Sequence, residues 1–199
     1  LSFQQLEAMI PVVQSQTPIL LFANRASDIL EIIKIAKKYH LKTIIAGACE
    51  GWMVADELKA SKIPVIINPL QNAPDDFSSI GCRDDNAAIL DQQKISVIIS
   101  TFDTHNSRLL RQYVGNAIRA GLSAETALKS ITSHPSQAFG QHDYGMVKEG
   151  SFANLVVWDG DPFELSSIAK MVFINGKLQN THTRQDSLFE KYYHLYHSK

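Results

Sequence analysis

Cysteine is scarce: Cys49 and Cys82 are the only two in 199 residues. Two cysteines do not make a disulfide framework, and with no C-x-x-C pattern they read as buried thiols that fix no redox compartment. Long apolar runs are missing too. Nothing approaches the roughly 20 residues needed to span a bilayer, and stretches such as Ile19 to Ala23 and Val97 to Ile99 are strand-sized. Charge of one sign is absent, because a formal net charge of -1 gives no electrostatic case for nucleic acid or an anionic membrane. There is no Gly-rich phosphate loop and no G-x-S-x-G nucleophile elbow. An initiator methionine and a signal peptide are lacking as well. Residue 1 is leucine, inside a segment, LSFQQLEAMIPVVQ, with helical character. The expectation is a start set by cleavage or by design, which leaves cytoplasmic and periplasmic locations both open.

What is present is ordinary globular composition, 45% hydrophobic and 20% charged, enough for one core or one core with an appendage. Four β-branched runs punctuate the first half: Ile19 to Phe22, Thr43 to Ala46, Val65 to Ile67 and Val97 to Ile99. Each is continuous rather than alternating, which suits strands buried on both faces of a parallel sheet. Between them lie helical patterns. Ile29, Ile32, Ile33 and Ala36 share a face, with Asp28 near the start and Lys34, Lys37 and Lys38 towards the end, complementing the helix dipole. Shorter helices are predicted over 53–59 and 84–92. A longer one spans 109–118 and stops at Gly121, and Ser123 caps another through Ile131. Strands alternating with helices imply parallel crossovers. Four such units fit half of an eight-stranded barrel or a small open sheet, and periodicity does not separate the two.

Near Gly145 the texture changes. Gly145 to Val147, the turn Lys148-Glu149-Gly150, and Ala153 to Trp158 predict a β-hairpin. Asp159-Gly160-Asp161-Pro162 is a turn, and Val172 to Ile174 followed by Asn175-Gly176 gives a further strand and tight turn. The stretch from Asp186 to Lys199 predicts a helix. His194 and His197 stand three apart on it, but without acidic or cysteine partners they read as a solvated face rather than a metal site.

In parallel βα folds functional groups gather where loops leave the C-terminal ends of the strands. That rule selects Asn24 and Arg25 after the first strand, Cys49 and Glu50 after the second, Asn68 after the third, and Asp103, His105 and Asn106 after the fourth. Asp103 can bind a divalent metal or take a proton from an attacking water; it can equally cap the next helix. His105 suits proton transfer. Arg25 can clamp a substrate carboxylate or form a salt bridge. Glu50 is a candidate substrate contact or a helix-opening acid, and Asn24, Asn68 and Asn106 complete the substrate-binding candidates.

Gly145-Met-Val-Lys-Glu-Gly-Ser-Phe-Ala-Asn-Leu-Val-Val-Trp-Asp-Gly-Asp-Pro resembles the C-terminal signature of the amidohydrolase superfamily. Leu128 to Gly140 is similar to the helix preceding that signature. Gly47-Ala-Cys-Glu-Gly-Trp-Met-Val-Ala-Asp-Glu-Leu and Ile63-Pro-Val-Ile-Ile-Asn-Pro-Leu resemble the imidazolonepropionase-related branch.

The resemblance covers residues 1 to 178 and implies an α/β fold. Residues 1–140 would be the C-terminal half of a TIM-like (β/α)8 barrel, about four βα units forming strands five to eight. Residues 141–180 would add strands of a small β-sandwich, followed by a helical tail over 181–199. It implies a bacterial-type, metal-dependent hydrolase of non-peptide C–N bonds in a cyclic amide, amidine or related small molecule. Zinc is the expected metal of the full-length parent. The family's strand-five and strand-six histidines have no counterpart after Ala23 or Ala46, and only Asp103 matches its expected metal-binding place. Asn154 stands where the signature has Asp. The fragment alone is therefore expected to be inactive, completed by an N-terminal half-barrel and prone to form homo-oligomers. The alternatives are a non-catalytic relative serving as a binding or assembly subunit, and a free-standing domain binding a small ligand at Asn24, Glu50 and Asp103.

Overall fold

The structure is a computed structural model that describes residues 2–71, 73–74 and 76–197, with side chains to residue 193. The chain opens with α1 (Phe3–Ala8) and α2 (Ile10–Val13). Ser2 and Gln5 form a reciprocal capping box at the start of α1.

The four β-branched runs form β1 (Ile19–Ala23), β2 (Thr43–Gly47), β3 (Val65–Ile67) and β4 (Val97–Ile99), all parallel and in the order 1-2-3-4. Between and after them come α3 (Ala26–Tyr39), α4 (Ala55–Ser61), α5 (Asn86–Gln92), α6 (Leu110–Arg119), α7 (Ala124–Ser130) and α8 (Ser133–Ala138). Short 3-10 turns lead into α4 and α6. Ser123 caps α7, its hydroxyl accepting from the Thr126 amide at 3.3 Å.

A strand order without reversal places consecutive crossovers on one side of the sheet, whereas a doubly wound sheet reverses at a switch point. The core shows this sidedness. Ile45, Val65, Ile67, Val97 and Ile99 pack against Ile29, Leu58, Leu90, Val114 and Ala117 of the helices. The alternate strand residues, Ile44, Ala46, Ile66 and Ile98, face the other way and, among the described residues, have Ala138 of α8 as their hydrophobic cover. The arrangement is compatible with part of a βα barrel. On β1 the same outward alternation leaves Leu20 51% and Phe22 65% exposed. The outer edge of β4 is partly covered, because the His134 Nδ1–H donates to the Val97 carbonyl at 2.7 Å.

The second sheet is antiparallel: β5 (Leu155–Trp158), β6 (Ala169–Ile174) and β7 (Lys177–Leu178). Asn175 and Gly176 both have positive φ, as the predicted tight turn requires. The predicted first arm, Gly145 to Val147, is not a strand. Tyr144 stacks on Phe152 at 4.6 Å and its carbonyl accepts from Ser136 Oγ at 2.8 Å, so the segment folds back on α8. The strand that pairs with β5 is β6. Arg111 ties this sheet to α6, lying 4.2 Å from the Trp158 ring and donating to the Glu164 and Ser167 carbonyls. The chain ends in α9 (Arg184–His197); the side chains of His194 and His197 lie outside the described residues. Among the described residues no helix is long and apolar enough to cross a membrane.

Candidate functional site

The C-terminal ends of β1 and β2 are knit together by backbone. Ala48 donates to the Ala23 carbonyl at 2.7 Å and Glu50 to the Asn24 carbonyl at 2.9 Å. Asn24 is 6% exposed, and its Oδ1 has no hydrogen-bond partner among the described residues. It faces Gly47, where an added Cβ would come within 2.4 Å of that oxygen. Glu50 Oε2 accepts from the Ala26 amide at 2.8 Å, satisfying one of the orphan donors at the start of α3. This gives Glu50 a structural task from a neighbouring strand end. Arg25 occupies the N-cap position of α3 in extended conformation, and its side chain is exposed.

Asn68 closes a local turn, Oδ1 accepting from the Leu70 amide at 2.9 Å. Asp103, His105 and Asn106 are brought together by Asp103, whose Oδ1 accepts from the His105 amide and Oδ2 from Asn106 Nδ2, both at 2.8 Å. The carboxylate thus organises the turn into α6, and the His105 ring points to no partner among the described residues. No hydrogen bond joins this cluster to Asn24, Glu50 or Asn68 among the described residues.

Three features were not read from the sequence. Phe22 and Phe102 meet edge to face at 6.0 Å between ring centroids, linking the ends of the two outermost strands. Phe102 and Ala48, beside Asp103 and Cys49, both hold positive φ, a strained conformation of the kind that collects at functional sites. Asn86, 6% exposed, donates to the Ala48 carbonyl at 2.9 Å and accepts from the Trp52 amide at 3.0 Å. The buried-thiol reading is corrected: Cys49 and Cys82 form a disulfide, their Cα atoms 4.8 Å apart. The fold brings a loop from beyond β3 against the end of β2, a juxtaposition that spacing alone does not reveal.

Residues 97–178 match the amidohydrolase family. Amidohydrolase tasK of Hapsidospora irregularis is 28% identical over 101 residues, 50% of this chain and 10% of that protein. An amidohydrolase from Thermotoga maritima MSB8 superposes with a TM-score of 0.83 and 26% identity over 92% of this chain and 48% of its own. A variant of atrazine chlorohydrolase TrzN from Arthrobacter aurescens TC1, complexed with zinc and atraton, gives a TM-score of 0.60 at 16% identity over 97% and 50%. The matches support the amidohydrolase superfamily. The chain spans about half the length of these solved structures and a tenth of tasK.

A divalent metal fits poorly among this chain's own residues. A zinc centre needs several N, O or S ligands. Cys49 is tied up in the disulfide, Glu50 holds the Ala26 amide, and both Asp103 oxygens serve their own turn. Among the described residues no group of three or more His, Cys, Asp or Glu is placed to hold a metal ion.

Proposed function

We propose that this chain is the C-terminal part of a superfamily hydrolase cleaving a non-peptide C–N bond in a cyclic amide, amidine or related small molecule. In this reading 1–140 contributes barrel strands five to eight, 141–180 the sandwich strands and 181–199 the tail. The reading places the chain in the imidazolonepropionase-related branch. The observation that carries the reading is Asp103 at the mouth of β4, opening the segment that matches the family.

In the reaction Asp103 accepts the proton of the attacking water, and His105 stands by to return a proton to the leaving nitrogen. Asn24, Arg25, Glu50, Asn68 and Asn106 border the substrate. The Asn24 oxygen, without a hydrogen-bond partner among the described residues, suits an N–H donor. Zinc is the metal this reading expects of a complete parent; Asp103 is the one candidate ligand this chain offers, and it would have to give up its own turn contacts to hold the ion.

The test is hydrolysis of a panel of cyclic amides and amidines by the longer polypeptide that begins upstream of Leu1. The 199-residue chain alone is expected to be inactive. Asp103→Asn in the longer protein is expected to lower kcat by about 100-fold or more, the scale of a lost general base. Undiminished turnover sinks the assignment.

A second reading, a non-catalytic relative used for binding or assembly, is favoured by the Phe22–Phe102 pair, which sets two apolar rings at the ends of β1 and β4. Metal bound stoichiometrically to the longer protein argues against it.

A further inference from the structure

From the end of β3 at Ile67 to the start of α5 at Asn86 the chain forms no helix or strand among the described residues. Yet its latter part, Ser79 to Asp85, is held against the strand ends. Trp52 Nε1–H donates to the Gly81 carbonyl at 2.8 Å, and the Arg83 guanidinium lies 4.6 Å from the Trp52 ring. Gly81 sits so close to Glu50 and Met53 that an added Cβ would approach Glu50 Oε1 to 2.7 Å. Arg83 is fixed in turn by a two-pronged pair with Asp85, at 2.7 and 2.6 Å. That pair holds the Asp85 carboxyl below its ordinary range. A small cavity has Gly47, Cys49 and Asn68 on the strand side and Arg83 and Asp84 on the segment side.

Each non-covalent tie is of modest strength where water competes. The covalent bond is different in kind, joining Cys49, only 7% exposed at the end of β2, to Cys82 across 33 residues. We propose that the Cys49–Cys82 disulfide is a redox latch: it fastens Ser79–Asp85 over the ends of β2 and β3, and its reduction by a dithiol releases that segment from the strand mouth. The step is thiol–disulfide exchange. The S–S bond breaks, two electrons and two protons pass from the dithiol to the cysteines, and the dithiol leaves as its own disulfide. The Ser79 carbonyl lies 3.7 Å from Cys49 Sγ, a contact to which a disulfide sulfur brings no proton and a reduced thiol would.

The functional weight of the latch rests on the strand mouth being the substrate site, but its test reads the segment itself and not hydrolysis. The air-oxidised 199-residue chain is denatured with iodoacetamide before and after dithiothreitol, and its intact mass is taken. Hydrogen exchange is followed in parallel over 76–86 and over β2 and β3. The expected result is no adduct before reduction and two after. On reduction, exchange over 76–86 accelerates about tenfold or more while β2 and β3 stay protected. Cys82→Ser should show the fast profile without reductant; if that variant does not fold, reduction of the unaltered chain decides by itself. Two adducts before reduction, or unchanged exchange over 76–86 after it, overturns the latch. An inactive parent with a released segment would count against the hydrolase reading and leave the latch standing.

Discussion

Gly47 ends β2 at φ +91, a conformation that costs an L-residue strain. A Cβ there would also meet Asn24 Oδ1 at 2.4 Å and the Ala23 carbonyl and Phe22 Cζ at 3.2 Å. Gly47→Ala is therefore expected to destabilise the chain by about 2 kcal/mol or more, combining backbone strain with a collision against the buried Asn24 side chain. A urea midpoint unchanged from the parent chain would contradict this. The candidate residues were legible because the strand-end rule needs only strands, and all four strands announce themselves. What those residues touch was not legible. Glu50 reaching the Ala26 amide, Cys49 meeting Cys82 and Phe22 meeting Phe102 join positions 24, 33 and 80 apart in the sequence. No local period encodes such contacts.

Between elements, Asp91 is the clearest joint. It follows Leu90 in α5 and accepts from Ser123 and Thr126 of the α7 cap, both at 2.7 Å. Burial raises its pKa, but the two hydroxyls and a backbone donor outweigh burial and leave it lowered. A carboxyl lowered in the folded state contributes stability that is present above its unfolded pKa, about 4, and lost as pH falls through the folded value. The α5–α7 joint should therefore weaken below about pH 4. Asp91→Asn should narrow the difference in melting temperature between pH 7 and pH 3; an equal difference in both proteins would remove Asp91 from the account. The Ser123 cap and the Asn175-Gly176 turn were readable because each is a local rule. The Gly145 arm was misread because the same turn residues serve a fold-back onto α8 as well as a hairpin, and Ser136 and Phe152 decide between them.

Across the whole molecule, the sheet is partly covered at one edge and open at the other. β4 is partly shielded by His134, whereas β1 presents an edge unpaired among the described residues and two exposed apolar side chains, Leu20 and Phe22. Open edges beside apolar surface invite pairing. The isolated chain is expected to self-associate, its mass by sedimentation rising with concentration above 22.2 kDa, and Phe22→Lys is expected to hold it at that value. An unaltered chain that stays monomeric at about 100 μM, well inside the range where exposed edges aggregate, would count against this surface. The sidedness of the helices, invisible in the periodicity, is compatible with part of a barrel.

The 1-2-3-4 strand order has one more consequence, in time rather than space. Each strand pairs only with the strands before and after it in the chain, so none waits for a distant sequence before it can dock. A chain emerging from a ribosome can lay down β1, then β2, β3 and β4 in the order of translation. The Val97 carbonyl of the newest strand then receives His134, which arrives 37 residues later.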